Sequence, residues 1–179
     1  MKILRVFTTG LCCTAILFLL TACTGYNSIM TDHLTNPENY KSYEGIICGI
    51  FYTNDNHERI YDLTSDDFKN QDVMLTIQFD SPESVQAFLG SSVSSDQDLT
   101  AYSFNLEITK ANNRILIDNG FYDAVTTNTP INIIASDFIY MDGNFFYIAS
   151  ISYNGTEYLS FDVGFENIKK MIHANASLL

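Results

Sequence analysis

The residue best placed for covalent chemistry is Cys23, whose thiol ends an N-terminal segment with three distinct parts. Lys2 and Arg5 form a basic head, and a mainly apolar stretch follows over residues 6–20. Two small residues then separate that stretch from Cys23. A basic head, an apolar stretch shorter than the roughly 20 residues of a membrane span and a small-residue cleavage site are typical of a secretion signal. The segment therefore predicts export from the cytoplasm.

The four residues at the predicted cleavage site resemble the lipobox of bacterial lipoproteins. They are Leu20, Thr21, Ala22 and Cys23. The resemblance implies that the chain is cut after Ala22 and that the Cys23 sulfur carries a diacylglyceryl group. It also implies a location at the cell membrane, lipid-anchored through fatty acids such as palmitate and facing outside the cytoplasm. Each buried methylene contributes about 0.8 kcal/mol, so two acyl chains hold a protein stably at a bilayer.

Two alternatives to a lipid anchor are an uncleaved membrane-spanning helix and an ordinary signal with a chance cysteine. The first is disfavoured because Thr8, Thr9, Gly10 and Thr14 interrupt the apolar stretch. The sequence does not decide between a host with one membrane and a host with two. In a two-membrane cell, Thr24 after the modified cysteine resembles a signal for release towards the outer membrane.

Length and composition predict a single globular domain behind the signal. Removal of residues 1–22 from the 179-residue chain leaves 157 residues, which is enough for one domain with its own core. The hydrophobic content of 46% and the charged content of 17% are values of a globular protein. We therefore expect a signal peptide over 1–22, a polar lipidated tether over 23–43 and a single β-rich domain over 44–179.

The charge of the chain restricts its partners. The formal net charge is −12, and the loss of Lys2 and Arg5 with the signal takes it to −14. A strongly acidic surface repels phosphate backbones and anionic headgroups, so we expect no nucleic-acid partner and no direct binding to the membrane surface. The expected partners are the membrane, through covalent lipid on Cys23, and an unknown protein or small ligand.

Cysteine and histidine usage argues against thiol chemistry in the domain itself. Cys48 is the one cysteine after Cys23, so an internal disulfide is excluded. It lies in an apolar run, which predicts a small buried side chain. His33, His57 and His173 are widely separated in the sequence, so no catalytic partner for the thiol is expected.

Hydrophobic periodicity predicts mainly strands. The expected strands span 46–52 with a bulge or bend at Gly49, 59–63, 73–79, 102–109, 115–117, 131–141, 145–153 and 158–161. Asn112-Asn113, Asp142-Gly143 and Asn154-Gly155 are predicted tight turns between strands. A helix is expected over 82–89 and a second one near the C-terminus, with shorter helical turns at 36–39 and 64–70.

This order of elements predicts a mainly β, β-rich α+β fold. We expect an antiparallel, OB-like partly open barrel with a short helix between strands and a C-terminal helix. A two-sheet β-sandwich is the alternative.

The carboxylates offer the remaining candidate chemistry. Asp62, Asp66 and Asp67, or Asp96 and Asp98, have the residue type that glycosidases use, but a raised pKa in an apolar pocket is also needed. The clusters Asn54-Asp55-Asn56 and Asp142-Gly143-Asn144 suggest calcium, yet neither has the ligand spacing of an EF-hand loop. Turn formation explains both clusters, so no metal site, no cofactor and no catalytic residue is predicted.

Three functions are compatible with these observations. The first is a lipid-anchored extracytoplasmic module that binds a partner without catalysis, for which exposed tyrosines offer stacking surfaces. The alternative is an envelope hydrolase or carbohydrate-active protein that uses loop carboxylates. A third possibility, a structural or immunity-type lipoprotein, differs from the first only in its partner.

Overall fold

A computed structural model describes residues 30–89, 103–136 and 146–176 of the chain. Cys23 and the rest of the lipobox lie outside these residues. Asp96, Asp98 and the predicted turn at 142–144 lie outside them as well.

A single seven-stranded sheet forms the centre of the domain. Its strands are β1 (Tyr40–Thr53), β2 (Arg59–Ile60), β3 (Val73–Phe79), β4 (Ser103–Ile108), β5 (Pro130–Ser136), β6 (Ile148–Tyr153) and β7 (Thr156–Leu159). The order across the sheet is β4-β3-β1-β5-β6-β7, and β2 pairs with β1. All these strand pairs are antiparallel. The predicted β-rich α+β class is therefore confirmed, although the sheet is not closed over the described residues.

Helices flank the sheet. They are α1 (30–34), α2 (Pro82–Leu89), α3 (Lys110–Asp118), α4 (Phe121–Ala124) and α5 (Phe161–Ala176), with 3-10 turns at Pro37–Asn39 and Asp67–Asn70. The predicted helix at 82–89 is confirmed, and the Ser81 hydroxyl accepts a hydrogen bond from the Ser84 N–H at 3.1 Å. The terminal helix and both short turns are confirmed too. No helix in the described residues is long and apolar enough to cross a bilayer.

The sheet has an inner face and an outer face, and each packs against different helices. The inner face contributes to the larger core, which includes the alternate β3 residues Val73, Leu75, Ile77 and Phe79. This core also buries residues of α2, α3 and α4. On the outer face, a smaller core lies between β5, β6 and the helices α1 and α5. The predicted alternation of β3 is therefore confirmed.

The smaller core includes part of the predicted tether. Leu34 of α1 and Tyr40 of β1 are buried there, and the Tyr40 hydroxyl donates a hydrogen bond to the Leu34 carbonyl at 3.0 Å. The Tyr40 ring also makes edge contacts with Phe161 and Phe165 of α5. The segment 23–43 therefore overlaps packed structure from residue 30 onward.

Cys48 is not the buried residue that its apolar neighbours predict. The register of β1 against β3 shifts between Ile47 and Gly49, so Cys48 is the extra residue of a β-bulge. Its side chain is exposed, with the sulfur 3.7 Å from the Ile46 carbonyl oxygen. The expected bulge near Gly49 is confirmed, and Cys48 faces away from the core because it follows the buried Ile47 on the opposite face of the strand.

The prediction of a turn at Asn112-Asn113 and a strand at 115–117 is wrong, because these residues belong to α3. Thr109 caps this helix, since its hydroxyl accepts the Asn112 N–H at 3.3 Å. Both asparagines are fully buried, and their side-chain amides bond to distant segments of the chain. Amides that are satisfied by tertiary partners no longer compete with the helix backbone, which removes the local preference for a turn.

The turn at Asn154-Gly155 is confirmed. Both residues have positive φ, 50° at Asn154 and 78° at Gly155, as a two-residue hairpin between right-twisted strands requires. It joins β6 to β7, and β5 pairs with β6, so the predicted three-stranded meander is present in the described residues.

Candidate functional site

The outer face of β1, β3 and β4 is the part of the sheet that carries the candidate site. Strand register places Phe51 of β1 opposite Met74 of β3, and Met74 opposite Glu107 of β4. In the neighbouring row, the Thr76 hydroxyl donates a hydrogen bond to the Asn105 side-chain oxygen at 2.8 Å. The three strands therefore align two neighbouring rows of side chains. One row is apolar and ends in the Glu107 carboxyl group, and the other is polar.

A groove of about 500 Å³ follows these rows, and we call it the outer groove. Its lining residues are Phe51, Thr53, Arg59, Met74, Ser103, Phe104, Asn105 and Phe146. Phe104 and Phe146 also pack in the larger core, so the groove borders that core as well. Apolar residues with a few polar groups and one cation are the usual lining of a ligand-binding pocket.

Aromatic and cationic groups meet at one end of the outer groove. The Arg59 guanidinium lies 4.8 Å from the centroid of the Phe51 ring. Tyr61 contacts the same ring at a centroid distance of 5.7 Å, and 63% of Tyr61 is exposed. An exposed tyrosine beside an arginine offers a stacking surface and charged hydrogen-bond donors to a bound molecule.

Asn54 holds the loop that leads from β1 to Arg59, the first residue of β2. The Asn54 side-chain oxygen accepts the N–H groups of Asn56 and Glu58 at 3.0 and 2.9 Å. Its amide donates to the Glu58 carboxylate at 2.9 Å. The Asn54-Asp55-Asn56 cluster, which suggested calcium, thus forms hydrogen bonds within the turn. No group of three His, Cys, Asp or Glu in the described residues is placed to hold a metal ion.

Glu107, at the end of the apolar row, is an acidic residue that the sequence does not single out. It is only 6% exposed, and its N–H donates to the Phe146 carbonyl at 2.5 Å. Burial, with a smaller contribution from the nearby charge of Asp72, raises the pKa of its carboxyl to about 7. The Glu107 carboxyl can therefore hold a proton near neutral pH.

Tyr147 accounts for part of this environment. It forms an isolated parallel bridge with Glu107 and is itself buried in the smaller core. Burial raises the pKa of the Tyr147 hydroxyl, and the charges of Glu107 and Asp72 raise it further. Alternation along β4 identifies the sheet face of Glu107, but it contains no signal for a bridge to Tyr147, which precedes β6.

The pKa of Glu107 predicts that this protein loses stability as the pH rises. Between pH 4.5 and about 7 the folded chain keeps a proton that the unfolded chain has released. The free energy of unfolding therefore falls through this window, by about 3 kcal/mol in total. We expect Glu107→Gln to be more stable than the wild type by up to about 3 kcal/mol at roughly pH 8, and close to it at low pH.

Urea unfolding of both proteins at several pH values measures this effect. Glu44→Gln is the matched control, because Glu44 is an exposed carboxylate on the outer face of β1. We expect it to change stability by less than about 0.5 kcal/mol at every pH. Parallel pH profiles for the wild type and Glu107→Gln would contradict the assignment.

Of the predicted carboxylates, the structure describes Asp62, Asp66 and Asp67, and none of these three lines the outer groove. The exposed Asp62 accepts hydrogen bonds from the Thr64 hydroxyl and N–H, which lower the pKa of its carboxyl rather than raise it. Asp66 forms a surface ion pair with Lys69 at 3.5 Å, and Asp67 is an exposed residue in a 3-10 turn. A glycosidase acid would need the opposite shift.

The histidines also stay apart. His33 lies in α1, His57 in the loop between β1 and β2, and His173 in α5. Neither they nor Cys48 lines the outer groove.

Protein-family models, curated proteins and solved structures gave no match to this chain.

Proposed function

We propose that this chain is an extracytoplasmic lipoprotein that is held at the cell membrane by lipid on Cys23. We further propose that its domain binds a partner or ligand and does not catalyse a reaction. The single observation that carries the anchor is the order of basic head, apolar stretch and Leu20–Cys23 motif. The outer groove supports the binding role, because its aromatic and polar lining residues suit a small ligand or a peptide segment.

Loss of the Cys23 thiol tests the anchor. We expect Cys23→Ala to abolish incorporation of a labelled fatty acid and to release the chain from the lipid-anchored membrane fraction, because no sulfur is left to carry acyl chains. Cys48→Ala is the matched control, since it removes the other cysteine of the mature chain, and its labelling should equal that of the wild type. Equal labelling of Cys23→Ala and the wild type would rule out lipidation at this residue.

The finer fold assignment is also a proposal. A partly open, OB-like barrel is supported by the bridge between Glu107 and Tyr147, because it joins the edge strand β4 to the residues that precede β6. The two-sheet sandwich has less support, since the described strands belong to one continuous sheet.

The hydrolase alternative has one observation in its favour. Glu107 combines a buried carboxyl with a pKa of about 7, and Asp72 is close enough to affect it electrostatically. A screen on peptidoglycan and other glycans separates this function from binding alone. Hydrolysis that Glu107→Gln or Asp72→Asn removes would favour the enzyme, whereas hydrolysis lost in Asp96→Asn and Asp98→Asn would favour the loop carboxylates.

A further inference from the structure

A second cavity lies between α3 and α5, on a part of the surface separate from the outer groove. It has a volume of about 540 Å³, and we call it the α3–α5 cleft. Lys110 and Arg114 line it from α3, and Asn167, Lys170 and Asn175 line it from α5. The cleft therefore combines three cations with two side-chain amides.

This concentration of positive charge contrasts with the rest of the chain. The chain has 9 lysines and arginines, of which Lys2 and Arg5 lie in the signal, so three of the remaining seven line one cavity. The cleft contains one carboxylate, Asp72, which accepts the backbone N–H of Lys110 at 2.6 Å. The local field thus has the opposite sign to the net charge, and the net charge alone would not reveal it.

Two of the three cations are available to a ligand. Neither Lys110 nor Lys170 makes an ion pair with any residue in the described ranges, although Glu166 attracts Lys170 from a longer distance. Lys169, the next residue of α5, differs, because its ammonium pairs with Glu166 at 2.7 Å. Arg114 is held in place by the Asn70 side-chain oxygen at 2.5 Å and the Lys69 carbonyl at 3.5 Å.

The cleft and Met30, the first residue that the structure describes, adjoin the same smaller core. Met171 lines the cleft and packs against the smaller core, and Met30 packs against the same core. Six residues, 24–29, separate Met30 from Cys23. Even fully extended, this connection reaches only about 25 Å. If Cys23 carries lipid, the cleft is held near the headgroups of the membrane.

We propose that the α3–α5 cleft binds a phosphate-bearing anion, and that the headgroup of an anionic phospholipid is its source. Lysine, arginine and amide N–H groups are the donors that proteins commonly use for phosphate. The choice of the headgroup rests on the proposed lipid anchor, whereas the phosphate chemistry of the cleft does not. Such contacts would orient the domain on the membrane despite its negative net charge.

Thermal unfolding of the processed native chain in a neutral detergent tests the proposal in two arms. In the first, inorganic phosphate replaces chloride at constant ionic strength. In the second, the micelles contain phosphatidylglycerol or, as the reference, phosphatidylcholine. The test variant is Lys110→Gln/Lys170→Gln. The charge-matched control is Lys41→Gln/Lys169→Gln, whose residues do not line the cleft.

We expect a higher melting midpoint with phosphatidylglycerol than with phosphatidylcholine. The apparent affinity for phosphatidylglycerol should fall about 25-fold in the test variant, because the loss of each lysine lowers it roughly fivefold. It should stay unchanged in the control. A response to inorganic phosphate alone, lost in the test variant, would support the cleft with a soluble phosphate ligand as the source. Absence of both responses, or equal responses of the two double variants, would overturn the proposal. The intact mass of the same preparation reports lipidation at Cys23, so failure of the anchor is detected separately.

Discussion

Replacement of Gly164 with alanine is expected to destabilise the protein by at least about 3 kcal/mol. A Cβ at this position would collide with the carbonyl oxygen of Ala149 and lie 2.8 Å from its carbonyl carbon. Both atoms belong to the backbone of β6, which the sheet holds on both sides. The strand cannot move away without breaking its ladders, so α5 would have to shift instead.

The same glycine also fixes the position of α3. Its carbonyl accepts a hydrogen bond from the Asn112 side chain at 3.2 Å, so a shift of α5 would strain the contact with α3 as well. Denaturant unfolding of Gly164→Ala measures the cost. Val163→Ala is the matched control one residue earlier in α5, where the side chain is 46% exposed, and it should cost far less. Equal unfolding midpoints for the two variants would contradict this close packing of α5 on β6.

Replacement of Asn113 with leucine is expected to cost about 3–5 kcal/mol. The Asn113 amide is fully buried, and its nitrogen donates to the carbonyls of Phe68 and Gln71 at 2.8 and 3.4 Å. Its oxygen accepts the Tyr122 hydroxyl at 2.8 Å. A leucine of similar volume would leave these buried groups without their partner, and each unsatisfied group costs roughly 1–3 kcal/mol.

Two further variants make this prediction specific to the amide. Asn119→Leu removes an exposed amide that donates to the Tyr158 carbonyl at 2.8 Å, and we expect a loss below about 1 kcal/mol. Tyr122→Phe removes only the hydroxyl, and combining it with Asn113→Leu completes a double-mutant cycle. Because both changes break the same bond, their costs should be less than additive. Additive costs would show that the Tyr122 contact adds nothing to stability.

The elements that the sequence predicts well are those whose signals are local. The alternation of β3, the Ser81 cap of α2 and the Asn154-Gly155 turn each depend on residues within a few positions of one another. Tertiary contacts decide the remaining cases. Asn112 and Asn113 favour a turn locally, and only their bonds to Gly164 and Phe68 explain why they lie inside a helix.

The candidate site was less predictable for the same reason. Phe51, Met74 and Glu107 become neighbours only through the register of three strands, which a single sequence does not specify. The bulge at Cys48 and the bridge between Glu107 and Tyr147 likewise depend on how the strands pair. The cationic cleft likewise requires α3 and α5 to meet, although their lysines are far apart in the chain.

The central position of β1 affects when the domain can fold. One edge of β1 pairs with β3, but the other edge pairs with β5, with Tyr40 opposite Ser136. This second ladder cannot form until residues 130–136 have left the ribosome, and such long-range pairing slows folding. The central strand of the nascent chain therefore stays half unpaired for most of the synthesis, which would keep the sheet incomplete during the export that we propose.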